Sequence, residues 1–165
     1  MKISIVLPVL NEELSIGKTI DLVNDTMSKS GYEYEIIVVD DGSSDNTLKI
    51  ASTKNIVLIQ HPSNLGTGAA RKTGISNSSG DIVVTLDADG TYPIHKIPEL
   101  LKYFPEYDQV IGARLKEEGK IKFLRIPTKW FMRKLASYLT QTNIPDPNSG
   151  LRAFKKALMK KYLYL

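Results

Sequence analysis

The sequence predicts an α/β fold in which a mainly parallel sheet is covered by helices on both faces. Three observations carry this expectation. Short runs such as IIVVD at 36–40 and IVVTLD at 82–87 are continuously apolar until they end. They lack the polar alternation of a strand with one wet face, so both faces must be covered. Segments with helical spacing of apolar residues lie between the runs, which is the βαβ pattern of parallel strands. Finally, 165 residues at 42% hydrophobic content suffice for one buried core.

The elements follow in order. KISIVLP at 2–8 reads as a strand stopped by Pro8. Asn11 is a suitable cap for a helix opened by Glu12 and Glu13, with Ile16, Ile20, Val23 and Met27 on one face and an end at Ser30-Gly31. YEIIVVD at 34–40 is a second strand, and Ser44 or Asp45 begins a short helix through Ala51. NIVLIQ at 55–60 is a third strand, followed by a loop and a helix from about Gly68 to Ser76. DIVVTLD at 81–87 is a fourth strand and DQVIGAR at 108–114 a fifth. Beyond these, LKEEGKIK at 115–122 reads as an exposed loop, and residues 125–142 as an amphipathic helix with Phe131, Leu135, Tyr138 and Leu139 on one side. Arg125, Lys129, Arg133 and Lys134 surround that helix with charge. IPDPNSG at 144–150 is rich in turn residues, LRAF at 151–154 a short strand, and a basic helix follows.

The net charge of +4 conceals an asymmetry. Residues 1–113 hold 9 Lys/Arg against 15 Asp/Glu, and residues 114–165 hold 13 against 3. A basic third beside an acidic body suits a phosphate-bearing partner: a nucleotide, an anionic lipid surface or a nucleic acid. A Lys-rich solvated helix face has the same composition. The absence of cysteine excludes disulfides and thiolate metal sites. No apolar run reaches the 18 residues of a membrane span, and MKISIVLP is too short for the apolar part of a signal segment.

In open α/β sheets, ligands bind beyond the carboxyl ends of the strands. The unusual residues of this chain fall there: PVLNEE after the first strand, DDGSSDNT after the second, HPSNLGTGAARKTG after the third and DADGTYP after the fourth. Asp87 and Asp89 stand at i and i+2, which in extended backbone project to one side. Two anions sharing a pocket require a cation or a proton. Mg²⁺ and Mn²⁺ take oxygen ligands, and Mg²⁺ commonly joins one or two carboxylates to substrate phosphates. A capping pair ahead of a turn would use the same residues. Asp40 and Asp41, at the end of the second strand, suit the hydroxyls of a ribose or the edge of a base, and equally a tight turn with Gly42, Ser43, Ser44 and Asp45. Gly66 and Gly68 precede a helix and can offer backbone N–H groups to phosphate, but Arg71 stands where a dinucleotide fingerprint needs its third glycine. Arg71 and Lys72 face either a diphosphate or solvent. His61 and His95 show no metal-ligand spacing and read as surface or loop residues.

Taken together, IVLPVLNEE, IIVVDDGSSDNT, NLGTGAARKTG, VVTLDADGTYP, VIGAR and DPNSGLRAF resemble, in order and over nearly the whole chain, a family 2 glycosyltransferase of the GT-A fold. Within that family, DAD followed by IPEL and SGLRAF is most similar to the polyprenol-phosphate sugar transferases, the group of dolichol-phosphate mannose synthase. The resemblance implies an inverting, metal-dependent transfer from a GDP- or UDP-sugar to a polyprenyl phosphate. Pro8, Leu10 and Glu12 would line the nucleotide pocket, with Leu10 where the family usually has an aromatic. Val39 and Asp41 would hold base or ribose, with Arg71, Asp87 and Ala88 also contacting the donor. Asp89 would be the principal metal ligand, with Asp87 and Thr91 as further candidates. Arg114 would bind phosphate, joined on the acceptor side by Arg133, Lys134 and Arg152. For a hydroxyl acceptor, Asp146 would serve as general base.

The resemblance further implies one catalytic domain over 1–165 that lacks the family's C-terminal part, with a nucleotide-sugar-binding half at 1–113 and an acceptor-side basic segment at 114–165. The expected setting is the cytoplasmic face of a membrane, where the basic amphipathic helix meets anionic lipid, with no nucleic-acid partner. Three alternatives stay open or recede. Transfer to a saccharide or protein hydroxyl would require Asp146. A non-catalytic nucleotide-sugar-binding module would bind the donor without turnover. A dinucleotide oxidoreductase is disfavoured by Arg71 and by the position of the glycine loop.

Overall fold

A computed structural model describes residues 1–104, 106–113, 134–135, 137–139, 141 and 149–162. The chain divides into two compact units, residues Met1–Ile111 with Leu151–Leu165, and Gly112–Gly150. The second unit is therefore an insertion, and the chain returns to the sheet after it.

The first unit is built on six strands: β1 (Lys2–Val9), β2 (Glu33–Asp40), β3 (Val57–Gln60), β4 (Ile82–Thr85), β5 (Gln109–Ile111) and β6 (Arg152–Lys155). Their order is β3-β2-β1-β4-β6-β5. The first four are mutually parallel, and β6 runs antiparallel between β4 and β5. The expected mainly parallel α/β sheet is present. The slot taken by β6 is the feature that chain order did not reveal.

Helices α1 (Ile16–Ser28), α2 (Thr47–Ser52), α3 (Thr67–Ser76), α4 (Ile97–Leu101) and α5 (Lys156–Tyr162) connect or follow the strands, and a 3-10 turn (Ile94–Lys96) leads into α4. Strand residues alternate between two cores, as the pleat requires. Ile5, Leu7, Ile36, Val38 and Val84 pack with Ile16, Ile20, Val23 and Met27 of α1 and with Ile97 and Leu101 of α4. Val6, Ile37, Val39 and Val83 pack with Ala70 and Ile75 of α3 and with Phe154. Helix α3 lies close against the sheet because Gly74 offers no side chain there: a Cβ would meet Val6 Cγ1 at 2.4 Å.

The apolar face expected for the first helix is the buried face of α1. Its start is not where Asn11 predicted it. Asn11 adopts a left-handed backbone at φ 55°, and α1 begins at Ile16 behind Ser15. Asn11 and Glu13 bond to the loop after β2 instead of capping a helix of their own. Likewise α2 starts at Thr47, with Asp45 Oδ1 accepting the Thr47 N–H at 2.9 Å. In the second unit, Lys134, Leu135 and Ser137–Leu139 are helical, within the span expected for the amphipathic helix. Among the described residues no helix is long and apolar enough to cross a membrane.

Candidate active site

Four parallel strands place their carboxyl ends on one edge, so the loops at 10–15, 41–46, 61–66 and 86–93 gather there. The first two are laced together. Asn11 N–H donates to Ser43 Oγ at 2.9 Å, and Ser44 N–H returns to Asn11 Oδ1 at 2.8 Å. Glu12 N–H donates to Thr47 Oγ1, and Asn46 donates twice to Glu13 Oε2. These bonds consume loop N–H groups that would otherwise lack partners. Glu12 also accepts the Ser15 hydroxyl, so its carboxylate braces the entry to α1. Pro8 is buried in β1 opposite Val39, whereas Leu10 is exposed at the lip.

Val39 lies fully buried in the core beneath α3, so its side chain is packing. Asp41 shares that face and is 3% exposed. Its Oδ1 meets His61 Nδ1 at 2.7 Å and accepts the Leu65 N–H at 3.1 Å, while Oδ2 accepts the Gly66 N–H at 2.8 Å. Burial alone would raise its pKa, but the bonds from His61, Leu65 and Gly66 outweigh that and leave it lowered. Asp41 is thus held as an ionised anchor of the loop after β3. The neighbouring carboxylate differs. Asp40 is fully buried, its Oδ2 takes the Ser43 N–H at 3.3 Å, and its Oδ1 has no partner among the described residues. A buried carboxylate oxygen left open in this way is an acceptor waiting for a donor.

His61, read from the sequence as a surface or loop residue, follows β3 in a loop but is buried, at 7% exposure. Asp41 and Thr73 enclose it from two sides, and neither proximity shows in the spacing. Arg71, on the inner side of α3, reaches Asp87 with Nη2 to Oδ1 at 2.6 Å. Its Nε is buried with no partner among the described residues. Asp87 is half-buried, and the Tyr92 hydroxyl at 3.5 Å from its Oδ2 makes only a weak contact. Ala88 is buried and its carbonyl accepts the Thr19 hydroxyl from α1 at 3.1 Å, pinning the loop between the two carboxylates. Asp89 is exposed, and its Oδ1 accepts both the N–H and the hydroxyl of Thr91, at 3.0 and 2.7 Å. Thr91 therefore orients Asp89.

Arg152 opens β6 directly opposite Thr85, the last residue of β4, and so stands at the same edge. Lys134 is exposed on the helical stretch of the second unit. Arg114, Arg133 and Asp146 lie outside the described residues.

The model of the family "Glycosyl transferase family 2" matches residues 4–163. The chain belongs to glycosyl transferase family 2. This glycosyl transferase chain is 34% identical to an uncharacterized protein of Methanocaldococcus jannaschii, over 98% of its own length and 68% of the relative's. Among solved structures it resembles glucosyl-3-phosphoglycerate synthase from Mycobacterium tuberculosis. The complex with Mn²⁺, UDP-glucose and phosphoglyceric acid matches at TM-score 0.76 and 28% identity, covering 95% of this chain and 57% of that one. The complex with Mn²⁺, UDP and glucosyl-3-phosphoglycerate matches at TM-score 0.76 and 27% identity, with the same coverage. The chain thus spans little more than half the length of these solved relatives.

The family membership and the GT-A-like architecture agree with the sequence expectation. The sequence names Asp40 only jointly with Asp41, and it gives His61 no role in this glycosyl transferase's candidate site. Asp40 was grouped with Asp41 without separating their faces, although strand parity sets Ile37 and Val39 apart from Ile36 and Val38 and could have done so. His61 had no signal beyond its place at a strand's carboxyl end.

Proposed function

We propose that this chain is the donor-binding and catalytic part of an inverting sugar transferase that uses a nucleotide-diphosphate sugar, GDP- or UDP-linked, and a divalent cation. The observation that carries the reading is the strand-end cluster of Asp40, Arg71, Asp87 and Asp89 in a family 2 chain. Asp40 offers its open Oδ1 to an N–H or O–H of the nucleoside. Pro8, Leu10 and Glu12 form the near wall. Asp87, with Ala88, contacts the donor, and its ion pair with Arg71 sets a cation beside the phosphates. Asp41, Val39 and Thr91 act behind these groups, through the loops and through Asp89.

The donor set fits Mg²⁺ or Mn²⁺. No group of three or more His, Cys, Asp or Glu converges as a metal cage among the described residues. Two carboxylates at one strand end are what a cation shared with a diphosphate needs from the protein, since phosphate oxygens and water complete the shell. Asp89, presented by Thr91, would hold it, with Asp87 as the further candidate. When bound, the cation neutralises charge that develops on the departing diphosphate. Arg71 adds fixed positive charge to the same end, and by the family motif Arg114 would bind phosphate.

In the reaction, an acceptor oxygen attacks the anomeric carbon from the face opposite the diphosphate. The bond to the diphosphate oxygen breaks with its electron pair, and the nucleoside diphosphate leaves. For the acceptor we favour a polyprenyl phosphate, which is already anionic and needs no strong base. By the sequence, Lys134 and Arg133 are the candidates to hold that phosphate. The exposed Tyr138 and Leu139 beside Lys134, at 80% and 71% exposure, suit a lipid interface at the cytoplasmic face of a membrane. A second reading takes a small phosphorylated acid as acceptor, because the solved M. tuberculosis relative binds phosphoglyceric acid. Transfer to a hydroxyl there would call on Asp146 as base.

Calorimetry with UDP and GDP, with and without Mn²⁺, tests the donor reading. Binding should strengthen with Mn²⁺, and Asp89→Ala should remove that gain, about tenfold or more in affinity. If Asp89→Ala keeps the full metal dependence, the assignment of Asp89 fails. Turnover of the complete natural protein with a short polyprenyl phosphate, against 3-phosphoglycerate, separates the two acceptors.

A further inference from the structure

His61 is a buried titratable side chain that the proposed chemistry does not use, yet both of its ring nitrogens are engaged. Nδ1 lies 2.7 Å from Asp41 Oδ1 and Nε2 lies 2.9 Å from Thr73 Oγ1. With Asp41 ionised and acceptor-only, Nδ1 is the donor in that pair, and Nε2 meets the Thr73 hydroxyl. The His61 backbone N–H also donates to the Asp40 carbonyl at 2.8 Å. One imidazole thereby joins three elements: the end of β2, the loop after β3, and α3.

We infer that His61 is a positioning residue for the donor pocket, tying the 62–66 loop and the start of α3 to the strand end that carries Asp40. This rests on the donor-binding reading above. Residues 62–65, 67 and 68 are all exposed, so apolar burial does little to hold this stretch. What holds it is polar: the Leu65 and Gly66 N–H groups on Asp41, with Gly66 N–H shared with Asn64 Oδ1 at 2.9 Å, and Asp41 on His61. Thr73 stands two residues beyond Arg71 on α3. Fixing Thr73 therefore fixes the rotation of the helix that aims Arg71 at Asp87. Loss of the ring would free Asp41 to turn, release the Leu65 N–H, leave Gly66 N–H on Asn64 Oδ1 alone, and let the first turn of α3 drift from the diphosphate. A positioning group held in this way by its own partners is how a rigid site keeps its geometry.

The test uses the full chain, with UDP plus Mn²⁺ and GDP plus Mn²⁺ as probes. His61→Asn places an amide N–H near the Nδ1 position and keeps the link to Asp41. His61→Gln reaches toward Thr73 and loses that link. Calorimetry should find His61→Gln and His61→Ala weaker for the probe by about tenfold or more. His61→Asn should stay within about threefold of the wild type. Hydrogen exchange should show the Leu65 amide exposed in the Gln and Ala variants and protected in the Asn variant. Equal affinity in all three variants, or unchanged amide protection in His61→Ala, overturns the inference. If the His61 variants do not fold, Thr73→Val decides. It cuts the ring from α3 while sparing Asp41, and unchanged probe affinity there also overturns the inference. If the wild type binds neither nucleotide, the donor reading fails, and the amide protection of the variants still judges the positioning role.

Discussion

Replacing Gly42 with alanine probes the joint between the β2 and β3 loops. Gly42 sits at φ +79°, and a Cβ there would lie 2.7 Å from the Ser63 carbonyl carbon and 2.9 Å from the Asn64 nitrogen. Both are backbone atoms, which cannot rotate away as a side chain would. The left-handed backbone costs an alanine about 1–2 kcal/mol. Forcing the 63–64 backbone outward adds about 1–3 kcal/mol, as overpacking does elsewhere. Lower entropy of the unfolded chain returns about 0.4–1 kcal/mol. The net expectation is a loss of about 2–4 kcal/mol, read as a shift of the urea midpoint at constant slope. Donor binding should suffer too, because the displaced segment leads directly to the Leu65 and Gly66 N–H groups on Asp41. UDP–Mn²⁺ affinity should fall about tenfold. Gly31 is the control: its φ is +76°, but nothing lies within 4 Å of its would-be Cβ. Gly31→Ala should cost the backbone strain less the same entropy return, roughly 1 kcal/mol net, and leave nucleotide affinity unchanged. If Gly42→Ala loses no more stability than Gly31→Ala and binds UDP–Mn²⁺ normally, the two loops are not packed as described.

Arg71→Met keeps the side-chain length but removes the ion pair with Asp87. Both partners are about a third exposed, so chemical denaturation should register less than about 1 kcal/mol. Calorimetry should nonetheless show clearly weaker UDP binding, because the lost charge faced the phosphates. Acid should destabilise the fold through Asp41 and Glu35, whose carboxyls are held below their ordinary range. For Glu35, burial acts to raise the value, and bonds from Ser4 and Ser79 with the Lys2 charge overcome it. A lowered folded pKa contributes stability above the unfolded value, which is lost as pH falls through the folded one. Thermal melts should therefore hold steady down to about pH 4.5 and drop below about pH 4. Asp41→Asn should flatten that acid limb, and an unchanged limb in the variant would remove Asp41 from the account.

The short α4 was not read from local sequence, whereas the strands, the helices α1 to α3 and the edge at which the candidate site lies were legible there. Each follows from apolar periodicity over a few residues, and the carboxyl-end rule then needs only the direction of the strands. The motif order determined the family for the same reason, since each strand-end loop is a short contiguous segment. Tertiary structure alone decided which polar residue meets which. Asn11 leaves its expected capping role because Ser43 and Ser44 lie 32 and 33 residues onward. His61 is buried because Asp41 and Thr73 close on it from separate elements. Arg71 finds Asp87 across a strand, and β6 enters between β4 and β5 after an inserted unit. Hydrogen bonds act over about 3 Å and take no account of separation along the chain. Apolar patterning, by contrast, repeats along the chain and can be read from it. Asp40 and Asp41 show the division most clearly: adjacent in sequence, they face opposite sides of one strand end, and only the fold makes one an anchor and leaves the other open.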